Sequence, residues 1–193
     1  NGPEPLAHNE KRMVEKAAAR NFNDAPRAAR LECPEWVLEK FDASFGEKTD
    51  EEIAALSGEA ALDLRVNTLK TTRDDLIAQL AAEGLKVSPS PLSPFGIRVA
   101  GRTTLGNHLG FKDGLFEVQD EGSQLCALLT DAKPGMSVMD LCAGAGGKTL
   151  ALAMQMNNKG RLIASDLSVT RLERSKLRLR RAGVHNATLR VLE

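Results

Sequence analysis

Three glycines within four positions, Gly144, Gly146 and Gly147, constrain this chain more than any other feature. They lie in Ser137-Val138-Met139-Asp140-Leu141-Cys142-Ala143-Gly144-Ala145-Gly146-Gly147-Lys148-Thr149. Val138, Met139 and Leu141 predict a short apolar strand with Asp140 near its C-terminal end. The glycines let the backbone turn tightly and approach a ligand without a Cβ in the way. A helix starts at the end of the turn, and its first amides are free donors at the positive end of the helix dipole.

The stretch Arg161-Leu162-Ile163-Ala164-Ser165-Asp166 predicts a second strand that ends in a carboxylate, 22 residues beyond Gly144. A carboxylate at that spacing, on the tip of the second strand, is placed to accept hydrogen bonds from a ribose diol. Glycine turn and acidic strand tip together predict an adenosine-type cofactor on an α/β fold with a doubly wound parallel sheet. A phosphate-binding loop needs Gly-x-x-x-x-Gly-Lys-Thr; Gly147-Lys148-Thr149 supplies its end, but Cys142 stands where the first glycine belongs. A dinucleotide fingerprint starts at Gly144-x-Gly146 but meets Thr149 at its last place. S-adenosylmethionine carries no phosphate and asks only for the turn and the ribose carboxylate, so it fits best. The residues expected to hold it are Cys142, Ala143, Gly144, Ala145, Gly146, Gly147, Lys148, Asp166 and Arg171.

At these residues the chain resembles a known family. Asp140-Leu141-Cys142-Ala143-Gly144-Ala145-Gly146-Gly147-Lys148-Thr149 is similar to the D-x-C-A-A-P-G-G-K-T cofactor motif of the Sun-type RNA (cytosine-C5) methyltransferases, with Gly144-Ala145 where Ala-Pro is usual. Val118-Gln119-Asp120-Glu121-Gly122-Ser123-Gln124-Leu125 looks like the segment that precedes that motif, and Leu64-Arg65-Val66-Asn67 looks like the L-R-V-N strand of the family's small RNA-binding domain. The likeness covers about residues 30 to 193 and is nearest the bacterial small-subunit rRNA enzymes. It implies RNA as partner and S-adenosylmethionine as cofactor. It also implies covalent catalysis, in which a cysteine thiolate adds at C6 of cytosine so that C5 becomes nucleophilic. The family's two cysteines stand in D-A-P-C and T-C motifs, and neither motif occurs in these 193 residues. No nucleophile is assigned. Two other readings stay open: an RNA-binding module with a vestigial cofactor turn, and a nucleotide-binding protein built on Gly147-Lys148-Thr149.

The organisation expected is a helical leader over residues 1–60, a small α+β RNA-recognition-like domain over 61–118, and the first half of a Rossmann-like sheet over 119–193. The chain begins at Asn1 without a methionine and ends at Glu193 just past a third predicted strand, so both ends read as cut. Strand Val138–Leu141 should then be an open edge of the sheet. With 42% hydrophobic residues the chain has enough apolar material for a core. Net charge is zero but uneven: residues 32–63 hold ten acids against two bases, and residues 171–193 seven bases against two acids. The basic run lies on a predicted helix from Val169 to Ala182, read mainly as a solvated face, with Arg171 near enough to Asp166 to reach the cofactor end. Three cysteines without CxxC spacing argue against a disulfide framework or a zinc site and suit a reducing cytosol.

Further expectations are local. A helix should run from Glu10 to Arg20. Pro34 suits the first turn of a helix that carries Trp36 as a packing anchor. Thr49-Asp50-Glu51-Glu52 reads as a capping box that opens a helix to Leu56. Thr72, Asp120 and Ser168 should cap helices, and Gly183 should end one. Cys126 should occupy an apolar helix face. If Leu64 and Val66 face a core, Arg65 and Asn67 protrude from the other side of the strand. There Arg65 is either half of a surface ion pair or an RNA contact, and we take Arg65 and Asn67 as the RNA-facing pair.

Overall fold

The computed structural model describes residues 5–19, 21–101 and 103–192. It separates into two compact units, residues 1–60 and 61–193. The first unit is helical: α1 (His8–Ala18), α2 (Arg27–Arg30), α3 (Glu35–Phe45) and α4 (Thr49–Leu56), with single 3-10 turns at Phe22–Asp24 and Gly46–Lys48. Arg20, the expected end of α1, lies outside the described residues. Arg27 binds this unit together, with two bonds to Asp42 (2.8 and 2.9 Å) and one to Asp50 (2.7 Å). Two expectations fail here. Trp36 is 69% exposed, and Leu38 is the buried residue of α3. The capping box does not form: the 3-10 turn has already put Lys48 in a helical conformation, and the Thr49 hydroxyl donates back to the Gly46 carbonyl at 2.9 Å.

The second unit holds two sheets. The first contains β1 (Leu62–Val66), α5 (Arg73–Ala82), β2 (Val87–Pro89), β3 (Gly96–Val99), α6 (Leu109–Lys112) and β4 (Phe116–Val118), with the strands antiparallel in the order β2-β3-β1-β4. Alternation along β1 turns Leu64 and Val66 onto α5, where they pack with Leu76, Leu80, Ile97 and Phe116, all fully buried. Each such leucine contributes about 1.5–3 kcal/mol of transfer free energy. Thr72 caps α5 by accepting from the Asp75 amide at 3.2 Å.

The second sheet is parallel, in the order β5-β6-β7, and its connections are helices. Asp120 caps α7 (Glu121–Leu128) through the Ser123 amide at 3.1 Å. Then come β5 (Ser137–Asp140), α8 (Gly147–Gln155), β6 (Arg161–Asp166), α9 (Val169–Ala182) and β7 (Ala187–Val191). Ser168 caps α9, and Gly183 ends it at a left-handed φ of 76°. β6 is the central strand, with Leu162, Ala164 and Ser165 fully buried. β5 has a neighbour on one side only among the described residues, and it leaves Met139 49% and Leu141 57% exposed. Cys126 is exposed on α7, against expectation; Glu121, Gln124 and Ala127 are the residues that α7 buries. Among the described residues, no helix is long and apolar enough to cross a membrane.

Candidate cofactor site

Parallel pairing brings the ends of β5 and β6 side by side, with Asp140 opposite Ala164. This places the glycine turn against the tip of β6. The Ala143 amide donates to the Ser165 carbonyl (2.8 Å), and the Gly144 amide donates to Asp166 Oδ2 (2.8 Å). Asp140 accepts from the Thr149 hydroxyl at 2.7 Å, which ties the strand end to the first turn of α8. Gly144 and Gly146 hold φ of +54° and +84°; a Cβ on Gly146 would meet Ser175 Cβ at 2.9 Å, so α9 packs directly on the turn.

Asp166 is 8% exposed. Its Oδ2 takes the Gly144 amide and its Oδ1 the Ser168 amide, both at 2.8 Å. Those amides, Ser168 first, hold the carboxyl below its ordinary range, with the Arg171 charge adding and burial opposing. An ionised carboxylate has about four acceptor sites, so each oxygen keeps capacity for another donor. Asp166 faces a cleft of about 750 Å³ that is also lined by Cys142, Gly144 and Arg171. Leu141, Leu167, Ser168 and Leu192 complete it. None of these four was among the residues expected from the sequence to hold the cofactor. Leu167 and Ser168 carry a signal, since they directly follow the acidic strand tip; Leu141 and Leu192 become part of the site only through sheet pairing.

The other expected residues do not line the cleft. Ala143 and Gly146 are buried inside the turn, Ala145 and Gly147 are half-buried, and Lys148 is exposed. The Ala145 carbonyl accepts from Arg178 Nη1 at 2.9 Å, and the Gly147 carbonyl accepts from Arg65 Nη1 at 2.7 Å.

Comparison with known proteins matches both halves of this arrangement. The family described as "Methyltr_RsmF/B-like, ferredoxin-like domain" matches residues 33–105, and "16S rRNA methyltransferase RsmB/F" matches residues 127–192. The chain belongs to the RsmB/F methyltransferase family. It is 33% identical over 153 residues to a probable ribosomal RNA small subunit methyltransferase B of Synechocystis, covering 78% of this chain and 34% of that one. A Bacillus subtilis protein of the same description is 35% identical over 135 residues, covering 69% and 30%. The chain thus spans about a third of the length of these curated relatives. Among solved structures, a methyltransferase homolog protein from Pyrococcus horikoshii superposes with a TM-score of 0.78 at 30% identity, over 85% of this chain and 54% of that one. NSun6 from Pyrococcus horikoshii with SFG superposes with a TM-score of 0.76 at 22% identity, over 83% and 65%, and shares the fold.

In this RsmB/F chain Arg65 and Asn67 do not protrude; they are 4% and 7% exposed. The second face of the ferredoxin-like sheet is not open to water, because α7 and the parallel-sheet half cover it. Arg65 bonds Gln119 as well as the Gly147 carbonyl. Asn67 donates to the Gly114 and Ala182 carbonyls, each at 2.8 Å. Beside them Glu117, also 4% exposed, accepts from Arg178 at 2.9 and 3.2 Å and from Arg181, and Lys70 bonds the Asp113 and Arg181 carbonyls. Two of the bases expected on a solvated face of α9, Arg178 and Arg181, are therefore half-buried and paired across the seam. This polar seam was invisible in the sequence, since each half looks like an ordinary surface residue until the other arrives.

Proposed function

We propose that this chain forms the S-adenosylmethionine-binding part, with the adjoining ferredoxin-like domain, of an rRNA (cytosine-C5) methyltransferase. The observation that carries the reading is Asp166: a buried carboxylate at the strand tip, one amide on each oxygen, facing the cleft beside a glycine turn. In this reading Asp166 accepts the ribose hydroxyls with its remaining lone pairs. Gly144 admits the ligand because no side chain stands there, and Leu141 and Leu167 offer apolar walls to a nucleobase. When bound, S-adenosylmethionine supplies an electrophilic methyl group. The names of the relatives support rRNA as the substrate class, and the structural neighbour with SFG supports the cofactor class. Cytosine C5 as target rests on the likeness to the Sun-type motif. Its cysteine motifs are not in this sequence, and Cys33, Cys126 and Cys142 are given no catalytic role.

Thr149 speaks against a phosphate-binding loop. It is fully buried, and its hydroxyl is spent on Asp140, where such a loop presents it to a metal–nucleotide complex. Calorimetric titration of the chain with S-adenosylhomocysteine and with ATP tests the reading. The homocysteine compound should bind and ATP should not. Asp166→Ala should lower the affinity about tenfold or more, the loss of hydrogen bonds to a charged acceptor. Preferential ATP binding, or unchanged affinity in Asp166→Ala, would count against it.

A further inference from the structure

We infer that Arg65 is a positioning residue for the cofactor turn, and that through it the ferredoxin-like sheet sets the affinity of the cleft. The inference deepens the S-adenosylmethionine reading and rests on it. The turn is held from two elements at once. Arg178 of α9 grips the Ala145 carbonyl at 2.9 Å, and Arg65 of β1 grips the Gly147 carbonyl at 2.7 Å. Because a peptide unit is planar, fixing these two carbonyls also fixes the directions of the Gly146 and Lys148 N–H groups. Gly146, at a left-handed φ of +84°, lies between the two held peptide units, so the path of the chain from Gly144 into α8 is restrained from both elements.

Arg65 does not line the cleft. It sits on a strand of the other sheet, 82 residues away in sequence from the carbonyl it holds. A buried cation is costly unless it is paired and bonded. Burial pushes Arg65 down to about 10, while the charge of Glu117 opposes that fall. Packing alone would be satisfied by an apolar side chain here; a guanidinium aimed at a turn carbonyl imposes direction. Energetic coupling between two places is reciprocal. Filling the cleft should therefore stiffen β1, just as disturbing β1 should loosen the cleft.

The test measures S-adenosylhomocysteine affinity and thermal stability for the unaltered chain, Arg65→Met, Arg65→Lys and Lys70→Met. Lys70→Met is the control, because it cuts the same seam at the Asp113 and Arg181 carbonyls without touching the turn. Arg65→Met should lose about tenfold or more in affinity, with Arg65→Lys intermediate, because one ammonium replaces a fork of donors. Lys70→Met should melt earlier and bind as the unaltered chain does. Equal affinity in Arg65→Met overturns the inference and leaves the cofactor reading standing. So does a loss that follows melting temperature alike in Arg65→Met and Lys70→Met. Failure of the unaltered chain to bind would instead sink the cofactor reading, and this inference with it. Should Arg65→Met not fold, hydrogen exchange of the unaltered chain decides: ligand-induced protection of the Val66 and Asn67 amides supports the coupling, and protection confined to residues 141–146 and 166–168 overturns it.

Discussion

Gly146 shows how little freedom the site leaves at the scale of one residue. A methyl group there would face both a left-handed φ of +84° and Ser175 Cβ at 2.9 Å. Gly146→Ala should cost about 1–3 kcal/mol, the usual range for strained backbone, read as a lower denaturation midpoint with an unchanged slope. Asp166 gives a prediction in pH. Its folded-state pKa lies below the ordinary 3.8, so the stability and ligand affinity it contributes are complete above that value and are lost as pH falls through the lowered one. Affinity for S-adenosylhomocysteine should stay level from pH 8 to about 5; a titration centred above pH 5 would assign binding to another group. Gly144 and Asp166 were legible in the sequence because their chemistry is local to two strand ends. Arg65 and Asn67 were not, because alternation tells which side chains share a face of β1 and says nothing of what covers that face.

At the scale of elements, the caps at Thr72, Asp120 and Ser168 follow from residue type, since each follows an extended segment with a free amide two or three residues ahead. Thr49 breaks the pattern because the preceding 3-10 turn takes away the extended conformation a cap requires. Thr72→Ala should destabilise the chain by about 1 kcal/mol while leaving S-adenosylhomocysteine affinity unchanged, as α5 lies outside the cleft; parallel melting and calorimetry would check both. Helix α9 was legible in extent but not in role. Its arginines divide among the cleft (Arg171), the seam (Arg178, Arg181) and the solvent-exposed Arg174 and Arg180, and only tertiary structure makes that division.

At the scale of the whole molecule, the open edge of β5 matters most for behaviour in solution. Unpaired strand edges with exposed apolar side chains template association, and Met139 stands on that strand half exposed. The 193-residue chain should self-associate with rising concentration, and Met139→Lys should shift sedimentation toward the monomer without lowering the melting temperature. A concentration-independent monomer would refute this. The seam between the sheets has another consequence, in the order of folding. Local pairings of β1 with β3 and β4 close within the first 118 residues, whereas Asn67 waits for a carbonyl 115 residues further on. At about 5–20 residues per second of synthesis, that wait is roughly 6 to 23 seconds. Within it Arg65 meets the Gly147 carbonyl only 82 residues after itself, and Glu117 meets Arg178 after 61, so both charges stay hydrated on the small sheet until the parallel half is made. The charges that brace the cofactor turn are among the last groups to leave water, and the small sheet is the template on which the turn is set.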